Sequence, residues 1–409
     1  MPGGGYHHPV DAGGDSDRGG SSPRPGPGDR PSPTRIRVLV AIKCLGFGGA
    51  ERLLVDMVAR GNRQDFEYEV AYVLSSEHAL AETVVDQGTP VHCLGAERSW
   101  DLRWMARLRA LLVRGRFDVV HFHLPYTASL GRLVVASLPA ARRPAIVYTE
   151  HSLWNKAAII TRILNRATVG LDQSLVVVSQ AALEALPEAL RDRARIVVHG
   201  VDLSQATALA AQRDQIRRDV RLELDAADDE VLVLAVANLR PEKGYDVLLD
   251  SARMVADRNL PIRFAAVGGG ALEDELRQRH RQLGLGERFR FLGERTDVLR
   301  LLTGSDVFAL ASHQEGLPVS LMEATSVGIA IVATSVGGVP QAVADDENGL
   351  IVPPGDPEAF TDALERLATD PALRHRLAEE AKLRSTMFDV GAASAEVESI
   401  YRRLAGPRR

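Results

Sequence analysis

The feature that most constrains the fold is a short apolar run that breaks into a turn and then a helix. Asp306-Val307-Phe308-Ala309-Leu310 reads as a buried strand. It leads into Ser312-His313-Gln314-Glu315-Gly316-Leu317-Pro318-Val319-Ser320-Leu321-Met322-Glu323-Ala324. Gly316 and Pro318 interrupt the chain, and Pro318 suits a first helical position, where its missing N–H costs nothing. Val319 to Val327 reads as that helix. Its free N–H groups then lie at the strand's C-terminal end, where they can hold an anion such as a diphosphate. A carboxylate facing that anion would repel it. Glu315 in the turn and Glu323 on the helix are therefore better placed as acceptors for hydroxyl groups at either end of the anion. The competing reading is a solvated turn glutamate and an ordinary helix glutamate.

The same grammar runs through the rest of the chain. Ile36 to Ile42 is a strand, Gly46-Phe47-Gly48-Gly49 a glycine turn, and Ala50-Glu51-Arg52 opens a helix to about Arg60. Glycines there let the backbone approach a ligand closely. The turn is not a G-x-G-x-x-G and no ribose-binding acid follows at a clear place, which disfavours a dinucleotide oxidoreductase. Strands and helices then alternate from Tyr68 to Val178, including helices over Leu102 to Val113, Ala128 to Ala136 and Ile159 to Val169. Continuous Val/Ile/Leu strands between helices imply a parallel sheet covered on both faces, with ligands at the strand C-termini. Two such ends carry histidine, His121-Phe122-His123 and Thr149-Glu150-His151, so both His123 and His151 are site candidates, His151 the stronger of the two, with a half-buried histidine satisfied by backbone as the alternative. Arg195 to Val198 closes this half, and the junction falls near Gly200.

The second half repeats the pattern. Val231 to Asn238 is a strand followed by Leu239-Arg240-Pro241-Glu242-Lys243-Gly244. Two cations at a strand end where a helix begins make an anion site. Lysine occurs only at Lys43, Lys156, Lys243 and Lys382, and arginine supplies the rest of the 49 basic residues. A lysine kept in such a chain is either a chance survivor, the simpler account for any one of them, or a place where a compact ammonium is needed, and the position of Lys243 in this turn favours a ligand. Ile262 to Val267 ends in Gly268-Gly269-Gly270, a turn that admits a nucleotide against the backbone.

Around Trp104, the residues Trp104, Leu108, Leu111 and Leu112 share one helical face and Arg103, Arg107 and Arg114 another. That suits an anionic membrane surface, or a sheet-covering helix with a solvated arginine edge. A net charge of −5 gives no general case for nucleic acid. No apolar run approaches membrane-spanning length and the N-terminus lacks a signal-peptide core, so a cytoplasmic protein is expected, with room for a peripheral contact on the inner membrane face. Cys44 and Cys93 are expected as buried free thiols. Residues 1–33, rich in Gly, Pro and Ser, read as a disordered tail.

Asn238 to Gly244, the Gly268 to Gly270 turn, and Glu315 with seven residues before Glu323 resemble the retaining glycosyltransferases of family four, which have the GT-B fold. Gly46 to Arg52, Thr149 to His151 and Gly200-Val201-Asp202 fit as well, so the resemblance covers about residues 35 to 400. It implies an α/β chain of two Rossmann-like domains facing across a cleft. An acceptor domain would cover 34–200, a nucleotide-sugar domain 201–388, and a last helix within 389–409 would return to the first domain. Arg240 and Lys243 would neutralise the diphosphate, Glu323 bind the ribose, and Glu315 contact the sugar hydroxyls. Gly316 and Leu317 would offer N–H groups, Gly48, Gly49, Gly268 and Gly269 would line the donor, His151 would lie over the sugar, and His123 would face the acceptor. The implied activity is transfer from a nucleotide-diphosphate sugar, UDP-linked before GDP-mannose, to a sugar, polysaccharide or lipid-linked acceptor. No cofactor and no metal are expected. An epimerase, a phosphorylase or a non-catalytic nucleotide-sugar sensor would use the same contacts.

Overall fold

The computed structural model describes residues 35–154 and 158–406. The tail over 1–33 and Lys156 lie outside them. Seven strands build the first sheet: β1 Ile36–Ile42, β2 Phe66–Leu74, β3 Val91–Ala96, β4 Val119–His123, β5 Ala145–Glu150, β6 Ser174–Val177 and β7 Ala194–Ile196. They pair in parallel in the order β3-β2-β1-β4-β5-β6-β7. The second sheet has six: β8 Val231–Val236, β9 Ile262–Val267, β10 Phe289–Phe291, β11 Val307–Leu310, β12 Ala330–Thr334 and β13 Leu350–Val352. Their order is β10-β9-β8-β11-β12-β13, again all parallel. The α/β, GT-B expectation therefore holds.

The central strands are buried end to end, as their unbroken apolar sequences require: every residue of Val307–Leu310 and of Ala330–Thr334 is buried. Strand order reverses direction between β1 and β4 in one sheet and between β8 and β11 in the other. Ligands of open parallel sheets collect at such switch points, outside the strand C-termini. The Gly48-Gly49 turn and His123 flank the first. The Arg240-Lys243 turn and Glu315 flank the second.

The two lobes are joined twice, side by side. Val201 N donates to Phe388 O at 2.9 Å and Val390 N to Val201 O at 3.3 Å. A Cβ on Gly200 would run into the Phe388–Val390 backbone, so the crossing needs glycine there. Asp389 caps the final helix, Val390–Ala405, accepting from Ala392 N at 2.7 Å. That helix packs Val397, Ile400 and Tyr401 into the core of the first lobe beside Val38, Val40 and Phe66.

One open choice is decided here in favour of the sheet-covering helix, and one expectation, for Cys93, changes. Trp104 is fully buried with Leu108 among the sheet-covering residues, and its indole N–H donates to the Tyr126 hydroxyl at 3.2 Å. On the arginine face, Arg107 donates to the Leu94 and Gly95 carbonyls at 2.6 and 2.9 Å, and Arg103 pairs with Asp101 at 2.9 Å. This helix covers the sheet and spends two of its arginines on the protein. Cys44 is a buried free thiol, but Cys93 is exposed, because β3 is the outermost strand and Cys93 alternates to its solvent side. No helix among the described residues is long and apolar enough to cross a membrane.

Candidate active site

Three turns at neighbouring strand ends form the floor of the second lobe. After β8, Arg240 to Gly244 makes a tight turn into the Tyr245–Asp257 helix. Gly244 adopts φ 65°, and a Cβ on it would collide with the Ala311 carbonyl of the next turn. The turn after β11 is tied to it: His313 N and Gln314 N both donate to Glu242 O, at 2.9 and 3.3 Å. The turn after β12 closes the row, with Gly338 N donating to Gly316 O at 2.6 Å.

This docking brings Lys243 and Glu315 together. Lys243 Nζ donates to both carboxylate oxygens of Glu315 at 2.8 Å, and Ser312 Oγ donates to one of them at 2.7 Å. Glu315 is buried and Lys243 half-buried. Lys243 is therefore held by a carboxylate rather than standing free. Arg240 is exposed, and its charge reaches across to Glu51 on the first lobe. Gly316 and Leu317 offer N–H groups with no backbone partner among the described residues. The Leu317 side chain is buried in the core. Pro318 is the cap of the Val319–Val327 helix rather than its first residue. Gly268, at φ 144°, packs against the Ala237 carbonyl, and Gly269 lies against the Glu294 side chain. Both glycines thus have packing reasons for lacking a side chain.

Glu323 sits on the Val319–Val327 helix, half-buried, and accepts no hydrogen bond from any described side chain. Burial pushes its carboxyl up to about 7; the Arg52 charge opposes that shift and Asp56 adds to it. Arg52 and Asp56 belong to the Gly49–Arg60 helix, so Glu323 faces the other lobe. The lobes touch at this helix. A Cβ on Gly49 would stand 3.2 Å from Val319, and one on Gly316 would strike the His151 carbonyl oxygen. Gly48 keeps its place because the Glu51 carboxyl folds back into the space a Cβ would fill. Glu51 is buried, accepts from Cys44 Sγ at 3.1 Å, and has its pKa raised by burial.

The first lobe contributes a column of imidazoles. His123 and His151 stack at 5.0 Å between ring centres, with His123 Nδ1 and His151 Nε2 2.8 Å apart. His121 lies 4.2 Å behind His123, held between the Tyr401 and Thr149 hydroxyls at 2.6 and 2.7 Å. His199 approaches His151 at 5.2 Å. Burial drives all four well below their usual pKa, so they are neutral at pH 7. Nε2 of His123 and of His199 are buried without a partner among the described residues. Leu124, next after His123, takes φ 68°, a strained conformation for a bulky residue that collects at functional sites.

Gly49, His151, Gly316 and Glu323 thus lie where the two lobes meet, and Arg240, Lys243, Glu315 and Leu317 in the turns of the floor, whereas Gly268 and Gly269 lie in the turn after β9, against Ala237 and Glu294 of their own lobe, and His123 stacks on His151. Sequence reasoning missed Glu51, Arg52, His121, His199 and Ser312. His199 carried the same signal as His151, a histidine ending an apolar strand-like run. Among the described residues no cluster of His, Cys, Asp and Glu has the geometry of a metal site.

Two parallel-sheet lobes with facing switch points define the GT-B class of sugar transferases. Residues 216–384 match the family model described as Glycosyl transferases group 1, and residues 47–205 that described as Glycosyltransferase Family 4. The chain is 30% identical over 320 residues to a D-inositol 3-phosphate glycosyltransferase of Frankia alni, spanning 72% of this chain and 76% of that one. It is 25% identical over 342 residues to the UDP-Gal:alpha-D-GlcNAc-diphosphoundecaprenol alpha-1,3-galactosyltransferase of Escherichia coli, covering 78% and 87%. Among solved structures, Anabaena HepE in complex with UDP-glucose superposes with TM-score 0.76 at 21% identity, over 90% of this chain and 99% of that one. The protein belongs to the family-four, group 1 glycosyltransferases.

Proposed function

We propose that the protein moves a sugar from a nucleotide-diphosphate sugar to an acceptor hydroxyl with retention of anomeric configuration. A UDP-sugar is the favoured donor and GDP-mannose the next. The observation that carries this reading is the Glu323 carboxyl. It is an acceptor with no hydrogen bond from the described residues, on the helix whose start adjoins the Lys243–Glu315 pair. Vicinal hydroxyls of a ribose satisfy such a group. The diphosphate then lies along the helix start and the Gly316-Leu317 N–H groups, near Arg240 and Lys243. The sugar extends toward His151 and Glu315. HepE, solved with UDP-glucose, supports a donor of this kind.

As the bond from the anomeric carbon to the diphosphate breaks, negative charge grows on the leaving oxygen. Fixed cations and helix N–H groups stabilise it. The acceptor oxygen forms its bond on the same face and passes its proton to the departing phosphate. The Arg240 and Lys243 cations carry the electrostatic load in this scheme, without metal or cofactor. Contact between Gly316 and His151 keeps water from the anomeric carbon when the lobes are closed. The acceptor belongs to cell-surface polysaccharide, glycolipid or small-glycoside synthesis, with a peripheral contact at the cytoplasmic membrane face where it is lipid-carried. The Escherichia coli relative is named for a diphosphoundecaprenol-linked acceptor.

A panel of UDP-sugars, GDP-mannose and free nucleotides, read by thermal shift, tests the donor. A UDP-sugar is expected to raise the melting temperature most, and Glu323→Ala to abolish the rise. No shift with any nucleotide sugar would overturn the reading.

A further inference from the structure

The Ile159–Thr168 helix is amphipathic with its faces exchanged relative to a core helix. Its inward face is polar. Asn165 and Thr168 are buried and accept from Arg132 Nη1 at 2.6 and 3.2 Å. Arg132 is itself wholly buried and grips Asp172 through two bonds of 2.7 Å. Its outward face is apolar: Ile159 is 64% exposed, Ile160 71% and Ile163 62%. Turning the helix over would bury the isoleucines only by stripping Arg132 of its partners, so the orientation is fixed from beneath. From Ala158 to Leu171 the chain carries Arg162 and Arg166 and no acid.

A separate exposed aromatic lies at the same, C-terminal, edge of the sheet. The loop after β3 holds Trp100 at 74% exposure, with the Arg98 guanidinium 5.3 Å over its ring. Tyr126 anchors that loop, donating to the Ser99 carbonyl at 2.5 Å, and Tyr126 opens the Pro125–Ala136 helix, which packs against the Ile159 helix. Both loops leave the strand C-terminal edge where β4 and β5 deliver His123 and His151. Isolated exposed isoleucines are ordinary; three on one short helix face, bordered by Arg166 and with no acid between Ala158 and Leu171, mark a docking surface.

We propose that this face docks on an anionic lipid bilayer. Ile159, Ile160 and Ile163 enter at headgroup depth, and Arg166 on the same face meets lipid phosphates. A second copy of the chain fits less well, because the Arg166 flank, with no acid between Ala158 and Leu171, offers a like surface no opposite charge. The inference rests on the membrane-side acceptor proposed above and names the surface that meets the membrane.

The test is co-flotation of the full chain with vesicles containing phosphatidylglycerol, against vesicles of phosphatidylcholine alone. The wild type is expected to float with the anionic vesicles, and less so as salt rises. The combined Ile159→Ser, Ile160→Ser, Ile163→Ser variant, and separately Arg166→Glu, are expected to lose about tenfold in vesicle affinity. Both should keep the wild-type melting temperature and its shift with UDP-glucose. Wild-type flotation by the triple variant would overturn this surface while leaving the membrane-side reading standing. No flotation by the wild type would overturn both. Self-association of the wild type without flotation, abolished in the triple variant, would make the face a contact between copies and overturn the proposal. The UDP-glucose shift in the same samples reports the donor assignment separately.

Discussion

Lys243 Nζ lies 2.8 Å from each carboxylate oxygen of Glu315, although the two are 72 residues apart. The pair exists because β8 and β11 are neighbours and their end turns are hydrogen-bonded together. Removing the lysine leaves a buried carboxylate with only the Ser312 hydroxyl. Lys243→Met is therefore expected to lower stability by about 1–3 kcal/mol, less than for a fully buried pair because the lysine is partly exposed. Turnover should fall about a hundredfold, through loss of charge at the leaving oxygen. Adding Glu315→Gln should restore much of the stability and none of the turnover. Urea unfolding and nucleotide release from UDP-glucose separate the two effects. Normal release by Lys243→Met would remove the lysine from the reaction.

Glu323 gives a pH dependence with a definite sign. Its folded pKa of about 7 lies above the ordinary carboxyl value of 4.5, because burial disfavours the charge more than Arg52 favours it. The stabilisation from its bound proton is complete below about pH 4.5 and is lost as pH rises through about 7. Ribose hydroxyls need the ionised form. Donor affinity should climb with pH up to about 7, by as much as tenfold per unit, and level off above. Glu323→Gln should flatten that profile. Calorimetric titration of UDP from pH 5.5 to 8.5 measures it, and a flat wild-type profile would separate Glu323 from the nucleotide.

Gly316 has no room for a side chain once the lobes meet, since a Cβ would strike the His151 carbonyl. The obstruction lies between lobes and not within one. Gly316→Ala should leave the melting temperature within a degree or two, yet lower kcat/KM about tenfold or more by wedging closure. Scattering curves with and without UDP-glucose give the compaction directly. A variant that closes and turns over as the wild type does would show that the observed contact is not used.

What was legible in the sequence was whatever repeats locally. Strand, turn and helix alternate in both halves, and the strand-end histidines, the Arg240 to Gly244 turn and Glu315 mark the switch points without any knowledge of strand order. The buried face of Trp104, Leu108, Leu111 and Leu112 followed from helical spacing. The Lys243–Glu315 pair did not, because it depends on which strands become neighbours. Nor did Glu323 facing Arg52, which requires two domains to meet. Cys93 was misjudged because an edge strand reads like an inner one until the sheet order is known. The outward isoleucines of the Ile159 helix were hidden for a related reason: the residue that turns that helix, Arg132, lies on a different element.

Arg132 offers the sharpest stability test. It is buried with Asp172 at 0% and 1% side-chain exposure, and it also supplies the donors that Asn165 and Thr168 accept. Arg132→Met removes the cation and leaves a carboxylate and an amide oxygen without partners in the core. Breaking such a pair costs about 3–5 kcal/mol. Part of that cost is avoidable, because the Ile159 helix can release its polar face by detaching from the Pro125–Ala136 helix. Hydrogen exchange should then show the amides of Ile163 to Thr168 losing protection well before those of β4 and β5. Adding Asp172→Leu to Arg132→Met should recover most of the loss, since two apolar groups leave no stranded charge. An Arg132→Met variant as stable as the wild type, with that helix still protected, would mean something other than this arginine holds the isoleucines outward.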